Sequence, residues 1–431
     1  MKKNLDTIIT TVFALCMLSV NAGAQERIHL KIIHADKEEH TKSGHQLTGS
    51  VHYFVEERKI NIYCDTTDVF EADNLYILRG RVRIVDTEKS VFSDYIRYNV
   101  LTEEAHSPGP LLFIESKPQR SLQADRGTYN YKTNVLIAAG NGVYKDSLYT
   151  LSADQFSYVR NEKNISAAGN VKGISKTGLY TIYSDQFLYL VNEKNVSASG
   201  NVKIFSSKDN AVASGNTLNY QQNKLYGILN GNPRVAVADI ASSDSLIISG
   251  AKIEYFGNSI YRYVVTDSVT IKKGGVTAFC QKAVYDTTVS KVYLRYSPKI
   301  VEETFTVFGK EIDLTIKNRA LSEMVVRDSA LVLSNADTTG MYDLQNELSG
   351  KTINVYFNNG QINIIIASLN AKVTYYGFEK NELQWRQTGT FNQISITLAN
   401  GKITNINCGN GNSIITPKNM LQVIKKKGLY E

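Results

Sequence analysis

Few side chains in this sequence have the type and spacing to do chemistry. Six histidines lie within the first 106 residues, at His29, His34, His40, His45, His52 and His106. His40, His45 and His52, taken with Cys64, are metal-binding residue types, but their spacing follows no zinc pattern. Glu38-Glu39 and Glu302-Glu303 are paired carboxylates. Neighbours on a strand point to opposite faces, so neither pair makes an acid–base couple. There is no GxSxG, HExxH, P-loop or GxGxxG motif. Cys64, Cys280 and Cys408 lie far apart in strand-like surroundings, which argues against a disulfide framework and for buried free thiols. No catalytic residue, cofactor or metal is expected. Basic residues are dispersed apart from Lys425-Lys426-Lys427, a run able to touch anionic head groups. Without a basic stripe, nucleic acid is not an expected partner.

What must position the remaining residues is a strand-rich chain. The 431 residues include 26 Tyr, 15 Phe, 1 Trp and only 6 Pro, with 42 % apolar and 21 % charged residues and a net charge of +7. That composition excludes disorder and collagen-like repeats and favours β-structure. The N-terminus has the three parts of an export signal. Lys2 and Lys3 precede a mostly apolar stretch from Thr7 to Val20, and Ala22-Gly23-Ala24 is a small-x-small cleavage site. Residues 1–24 are therefore expected to be removed, and the apolar run is short for a membrane span of ~20 residues. Cys16 follows Phe13-Ala14-Leu15, a poor context for lipidation.

The dominant signal is an internal repeat. Residues 152–173 (SADQFSYVRNEKNISAAGNVKG) and 183–204 (YSDQFLYLVNEKNVSASGNVKI) are identical at 14 of 22 positions, at an offset of 31. The phase extends outward through Asp65, Asp94, Asp125, Asp154 and Asp185, and through Gly49, Gly80, Gly140, Gly169, Gly200 and Gly231. Pro108-Gly109-Pro110 fills the one missing glycine slot. Weaker copies begin at Ser214, Ser249, Cys280 and Ser349.

Each copy reads as two strands. Val196, Ala198, Gly200, Val202 and Ile204 share one parity, while Ser197, Ser199, Asn201 and Lys203 occupy the other, which is the alternation of a half-buried strand. Phe187, Tyr189 and Val191 share a face in the other half, as do Phe156 and Tyr158 one repeat earlier. Asn-Glu-Lys-Asn at 161–164 and 192–195, and the polar residues 206–210, predict hairpins and hence an antiparallel meander. The repeated Asp is expected to open its strand and shape the adjoining turn. The repeated Gly is expected to mark a bulge or close approach, and to leave a narrow cavity inside. A helical period is confined to MLQVIKKKG near the C-terminus. Changes in spacing near 238–249 and 321–347 suggest a β-repeat domain over 25–240, a more divergent β-repeat region over 241–415 and a basic tail over 416–431.

The unit Asp…aromatic-x-Tyr…turn…Val-x-Ala-x-Gly-Asn-Val resembles the OstA-like repeat of the LptA family and of the N-terminal domain of LptD. LTGSVHYF at 47–54 and INIYCDT at 61–66 resemble the opening units of OstA-like proteins of Bacteroidetes. ELSGKTINVYF at 347–357, AKVTYYG at 371–377 and the stretch from Asn400 resemble their closing units. The resemblance implies an all-β, elongated antiparallel β-jelly roll built from ~31-residue repeats. It also implies a non-enzymatic periplasmic carrier of lipopolysaccharide that bridges inner and outer membranes during outer-membrane assembly. LptC-like and LptD-like proteins would be its partners by edge-strand addition, with head-to-tail self-assembly another use of those edges and peripheral membrane contact at most.

Simple physics fits that role, because each acyl CH₂ left in water costs about 0.8 kcal/mol. Phe156, Tyr158, Ile165, Val171, Phe187, Tyr189, Val196 and Val202 are the candidate lining of a groove for lipid A chains, or else they pack on one another as a closed core. A structural or adhesive β-solenoid is the alternative reading, and its sign would be parallel coils in place of hairpins.

Overall fold

The computed structural model describes residues 28–421 apart from 43, 118, 239–244, 258–260, 318–319, 338–341, 359–360 and 400–401. The export signal and the Lys425–Lys427 run lie outside the described residues. Among those described, the chain forms thirty-two strands and three 3-10 turns, with no α-helix. The ladders are antiparallel from the first strands to the last. Two of the three predicted hairpins, at 192–195 and 206–210, are seen in the ladders: Asn195 pairs with Leu190 and Ala211 with Ser206. Lys163, Lys194 and Asn210 each take positive φ to close their turns. Parallel coils, the mark of a solenoid, are not what the chain builds.

Alternate long strands are broken in the middle by a bulge. In Asn195–Ser206 the register jumps between Ser199 and Val202, and Gly200 and Asn201 both adopt left-handed φ, 74° and 50°. The neighbouring strand Tyr180–Leu190 answers with Asp185. Both Asp185 and Gln186 face outward, so the buried parity shifts from Ile182 and Ser184 to Phe187 and Tyr189. Two consecutive left-handed residues turn a strand sharply. Each strand thus has two limbs: wall A ends at hairpins such as 192–195, and wall B at hairpins such as 206–210.

The repeated Asp therefore sits mid-strand and does not open a strand, correcting the sequence reading. The apolar phase slips at Asp, which makes it look like a start. Its carboxylate does not shape its own turn either. It accepts from the Asn beside the glycine: Asn201 Nδ2–Asp185 is 2.9 Å, Asn170–Asp154 2.8 Å and Asn141–Asp125 2.8 Å. At Asp65 the donor is Arg81, at 2.6 Å. The glycine leaves no cavity. A Cβ at Gly140 would stand 2.6 Å from Asp125 Oδ2, and one at Gly200 would also collide with Asp185.

The corner outlives its sequence signature. Past residue 240 the left-handed corner pairs are Asp267-Ser268, Tyr296-Ser297, Asp328-Ser329 and Leu369-Asn370, while Lys380-Asn381 closes a two-residue hairpin. There the small residue moves to the facing strand. A Cβ on Gly250 would meet Val265 Cγ1 at 2.7 Å and Thr266 O at 3.0 Å. Where Pro108-Gly109-Pro110, Pro233 or Pro298 falls at the corner, the strand splits and its limbs pair on separately. Proline has no N–H to give the ladder, so it is tolerated where the ladder is already interrupted.

The chain divides into two compact units. Unit 1 comprises 1–147 with 155–160, and unit 2 comprises 148–154 with 161–431. Cys64 and Cys280 are buried thiols, but Cys408 is exposed. It lies on Lys402–Cys408, one of the closing strands, whose described residues are exposed on both faces, so parity there carries no burial. Pro417 leads into a 3-10 turn over Lys418–Met420, and the rest of the basic tail lies outside the described residues.

The Asp–Gly contact gives a double-mutant test. Gly200→Ala should cost about 1–3 kcal/mol through backbone strain and collision, and Asp185→Ala about 1 kcal/mol through its lost hydrogen bond. In urea unfolding the double variant should be more stable than the sum of the two by at least about 0.5 kcal/mol. Strict additivity would show that the carboxylate does not occupy the missing side chain's space.

Candidate functional site: an apolar interior between two walls

The inward side chains form continuous cross-strand rows. In unit 1 one wall B row runs Tyr53–Ile62–Ile84–Val91–Phe113–Leu122–Tyr144. None of these is more than 2 % exposed. The facing wall A of unit 1 is equally closed, with Leu78, Ile96, Tyr98, Tyr129 and Leu136 buried.

Charged residues latch the mouth of unit 1 across the two walls. Glu115 on wall B accepts from Tyr158 Oη at 2.9 Å and Arg160 Nε at 2.7 Å on wall A. Arg120 donates to Tyr158 Oη at 3.1 Å, and Arg160 also pairs with Glu88. Arg58 and Glu103 form a two-pronged pair, 2.8 Å on each arm, between hairpins of opposite walls. Lys89, paired with Asp86, lies 5.7 Å and 5.4 Å over the rings of Tyr129 and Tyr131. Glu115 and Arg120 are buried, so each depends on the other's charge.

In unit 2 the same kind of row behaves differently. Wall B continues as Gly173–Ile182–Ile204–Ala213–Val235–Ile248–Ile271. From Ile182 to Ile271 every member is only half-buried. On wall A the row nearest the corner is Ala167–Phe187–Ala198–Leu218–Leu229–Ile253–Val265–Ala283, buried except at Leu218. The next row outward is Ile165–Tyr189–Val196–Tyr220–Gly227–Tyr255–Tyr263–Tyr285. Ile165 and Tyr189 are buried, Val196, Tyr220 and Tyr255 half-buried, and Tyr263 is 43 % exposed. Further along the chain Ile300, Val307, Ile312, Val326 and Ile353 are buried again. Between roughly 182 and 285, therefore, unit 2 holds an aliphatic interior with solvent at its edge.

The sequence-derived candidates fall on both sides of the unit boundary. Phe156 and Tyr158 belong to unit 1, and Tyr158 is part of the charged latch. Ile165, Val171, Phe187, Tyr189 and Val202 are inward and buried in unit 2, and Val196 is half-buried. Ile165 pairs with Tyr189, which pairs with Val196. The sequence reading missed Ile182, Ile204, Ala213, Val235, Ile248 and Ile271, the most open row. Their signal was the alternation on the far side of each Asp and Gly, continued into the weaker repeats.

Four tyrosines of unit 2, Tyr220, Tyr226, Tyr255 and Tyr263, are held neutral. Burial, then the neighbouring Tyr255, pushes the Tyr263 phenol up to about 12. Burial likewise raises Tyr220 and Tyr255. Tyr226 is raised to about 12 chiefly by its hydrogen bond to Glu254, 2.6 Å. In unit 1, burial and then the Glu115 charge raise Tyr158 to about 12. Among the described residues no three His, Cys, Asp or Glu side chains gather as metal ligands. His52 stacks on Tyr63 at 4.4 Å and bonds Asn61, and Cys64 lies against Thr67. Glu302 accepts from Thr304 in a turn.

Residues 121–261 match the family described as LptA/(LptD N-terminal domain) LPS transport protein. This part of the chain is similar to the LptA-like domains of that family. The LptA-like segment takes in the corners at Gly140, Gly169, Gly200 and Gly231 and the half-exposed wall B row as far as Ile248. No curated protein matches the chain.

Two outcomes follow from these contacts. Glu115→Gln should strand the buried Arg120 charge and cost unit 1 about 3–5 kcal/mol, seen as lost hydrogen-exchange protection at Tyr129–Tyr131; unchanged protection there would mean the latch does not hold the walls. The phenols titrate higher folded than the unfolded value of 10.0, so their contribution is complete below pH 10 and is lost as pH rises through about 12. Alkaline unfolding and the site-resolved ionisation of Tyr158 and Tyr263, followed by ring-carbon NMR, should rise together in that window. Ionisation of these two phenols around pH 10 in a still-folded protein would contradict this.

Proposed function

We propose that this protein is a lipopolysaccharide carrier of the cell envelope, working by binding and not by catalysis, with acyl chains lying between the walls of unit 2. The observation that carries the reading is the half-exposed aliphatic row from Ile182 to Ile271, facing a wall of Phe, Leu, Val and Tyr. A closed core would bury such residues, as unit 1 does. An acyl chain laid along them would remove methylenes from water at about 0.8 kcal/mol each. The LptA-like match over 121–261 supplies the ligand class and an envelope setting.

Within this reading the groove includes Ile165, Val171, Phe187, Tyr189, Val196 and Val202 and extends through Ile204, Leu218 and Ile248. Phe156 and Tyr158 close the end of unit 1 instead of touching lipid. The periplasmic placement, the span between membranes and the LptC-like and LptD-like partners belong to the same proposal. So does assembly through edge strands: among the described residues the strand Gly411–Pro417 pairs only with Glu382–Ala399, which leaves its other backbone edge to template an added strand.

A photo-crosslinking residue at Ile204 in living cells should capture lipopolysaccharide. The same residue at Ser199, on the opposite parity, or at Phe113 in unit 1 should not. A folded, exported protein with no lipid adduct at Ile204 would overturn the carrier reading.

A further inference from the structure

The wall A row that ends the apolar interior is made of tyrosine where a purely oily groove needs none. Tyr220 pairs across Gly227 with Tyr255, Tyr255 pairs with Tyr263, and Tyr263 with Tyr285. The Tyr255 and Tyr263 rings are 5.3 Å apart, and Tyr263 and Tyr285 stack at 6.5 Å. Gly227 leaves room for the Tyr220 ring, since a Cβ there would stand 3.3 Å from it. Beyond this row the strands run out: Tyr255 lies two residues from Gly257, and its hydroxyl sits over that glycine. On wall B the outermost row is Tyr180–Ser206–Ala211–Val237–Leu246, with the small Ser206 and Ala211 at its centre. Tyr180 is 44 % exposed and near enough to act on Tyr220, Tyr255 and Tyr263.

The hydroxyls of Tyr220, Tyr255 and Tyr263 make no hydrogen bond to another described residue, whereas Tyr226, outside the row, bonds Glu254. A tyrosine has an apolar body and a polar tip, and it settles where oil meets water. We propose that Tyr220, Tyr255 and Tyr263 form a specificity rim that reads the junction of an acylated ligand. Their rings cover the first methylenes, and their hydroxyls donate to the ester, amide or phosphate oxygens where chains join the head group. The rim sets how deep the ligand sits, because only a lipid with acceptors at that level pairs the phenols. The small wall B residues leave room for the head group opposite. This inference rests on the carrier reading, and it selects for acylated, acceptor-bearing amphiphiles over plain hydrocarbons.

The test uses the full chain and the triple variant Tyr220→Phe, Tyr255→Phe, Tyr263→Phe, which keeps the rings and removes only the donors. Three probes are titrated: a multiply acylated glucosamine disaccharide phosphate, phosphatidylethanolamine, and the apolar dye N-phenylnaphthylamine. The variant should bind the dye as the parent does and the acylated disaccharide about tenfold or more weakly. An equal loss for phosphatidylethanolamine would mean the rim reads the acyl junction in general; a loss confined to the disaccharide would mean it reads that head group. Unchanged affinity for both lipids, or a parallel loss of dye and lipids, would overturn the rim while leaving the groove standing. If the parent protein bound none of the three, the carrier reading itself would fail.

Discussion

Two consecutive residues in left-handed conformation, recurring at the middle of alternate strands, are the constraint on which the rest of this structure depends. Without them an eleven- or twelve-residue strand such as Asn195–Ser206 would present one continuous face. With them each strand supplies a limb to each of two walls, and inward rows from both walls face a shared interior. The Asp that faces Gly-Asn in the regular repeats fills the space a side chain would need and ties down the neighbouring amide. Because the corner recurs in register from strand to strand, the inward rows stay continuous over many strands, which a lipid-sized ligand requires.

What the walls enclose then depends on side-chain size and charge. In unit 1 the row Tyr53 to Tyr144 is built of large residues, and ion pairs such as Glu115–Arg160 and Arg58–Glu103 join the walls. In both pairs the carboxylate is buried; a buried pair contributes little net stability against apolar replacements, yet leaving its buried charge without a partner is costly. They hold a geometry more than they add stability. In unit 2 aliphatic residues of intermediate size line wall B from Ile182 to Ile271 and remain half-exposed. The same backbone thus makes a sealed core in one unit and an accessible apolar interior in the other.

Much of this was legible in the sequence. The 31-residue offset, the Asn-Glu-Lys-Asn hairpins and the alternation around Val196–Ile204 gave antiparallel β-structure and the inward faces. The function of Asp185 was not, because its partner Asn201 is 16 residues away and the parity slip beside it imitates a strand end. The corners past residue 240 were hidden for a related reason. Asp267-Ser268 and Asp328-Ser329 reach the same left-handed geometry without glycine, while the small residue sits on the facing strand at Gly250 or Gly309. Cys408 misled because strand alternation implies burial only where a second layer covers the sheet. Whether a row of valines and isoleucines is sealed or open cannot be read from their types. It depends on latches such as Arg58–Glu103, whose members are 45 residues apart.

The central claim is that the interior of unit 2, and not that of unit 1, receives acyl chains. Methyl-resolved NMR of isoleucine-labelled protein, titrated with lipopolysaccharide, tests it most directly. Large shifts are expected at Ile182, Ile204, Ile248 and Ile271, with Ile62, Ile84 and Ile96 unmoved. Silence at the first group, or equal shifts in the second, would contradict the division between an open and a sealed interior.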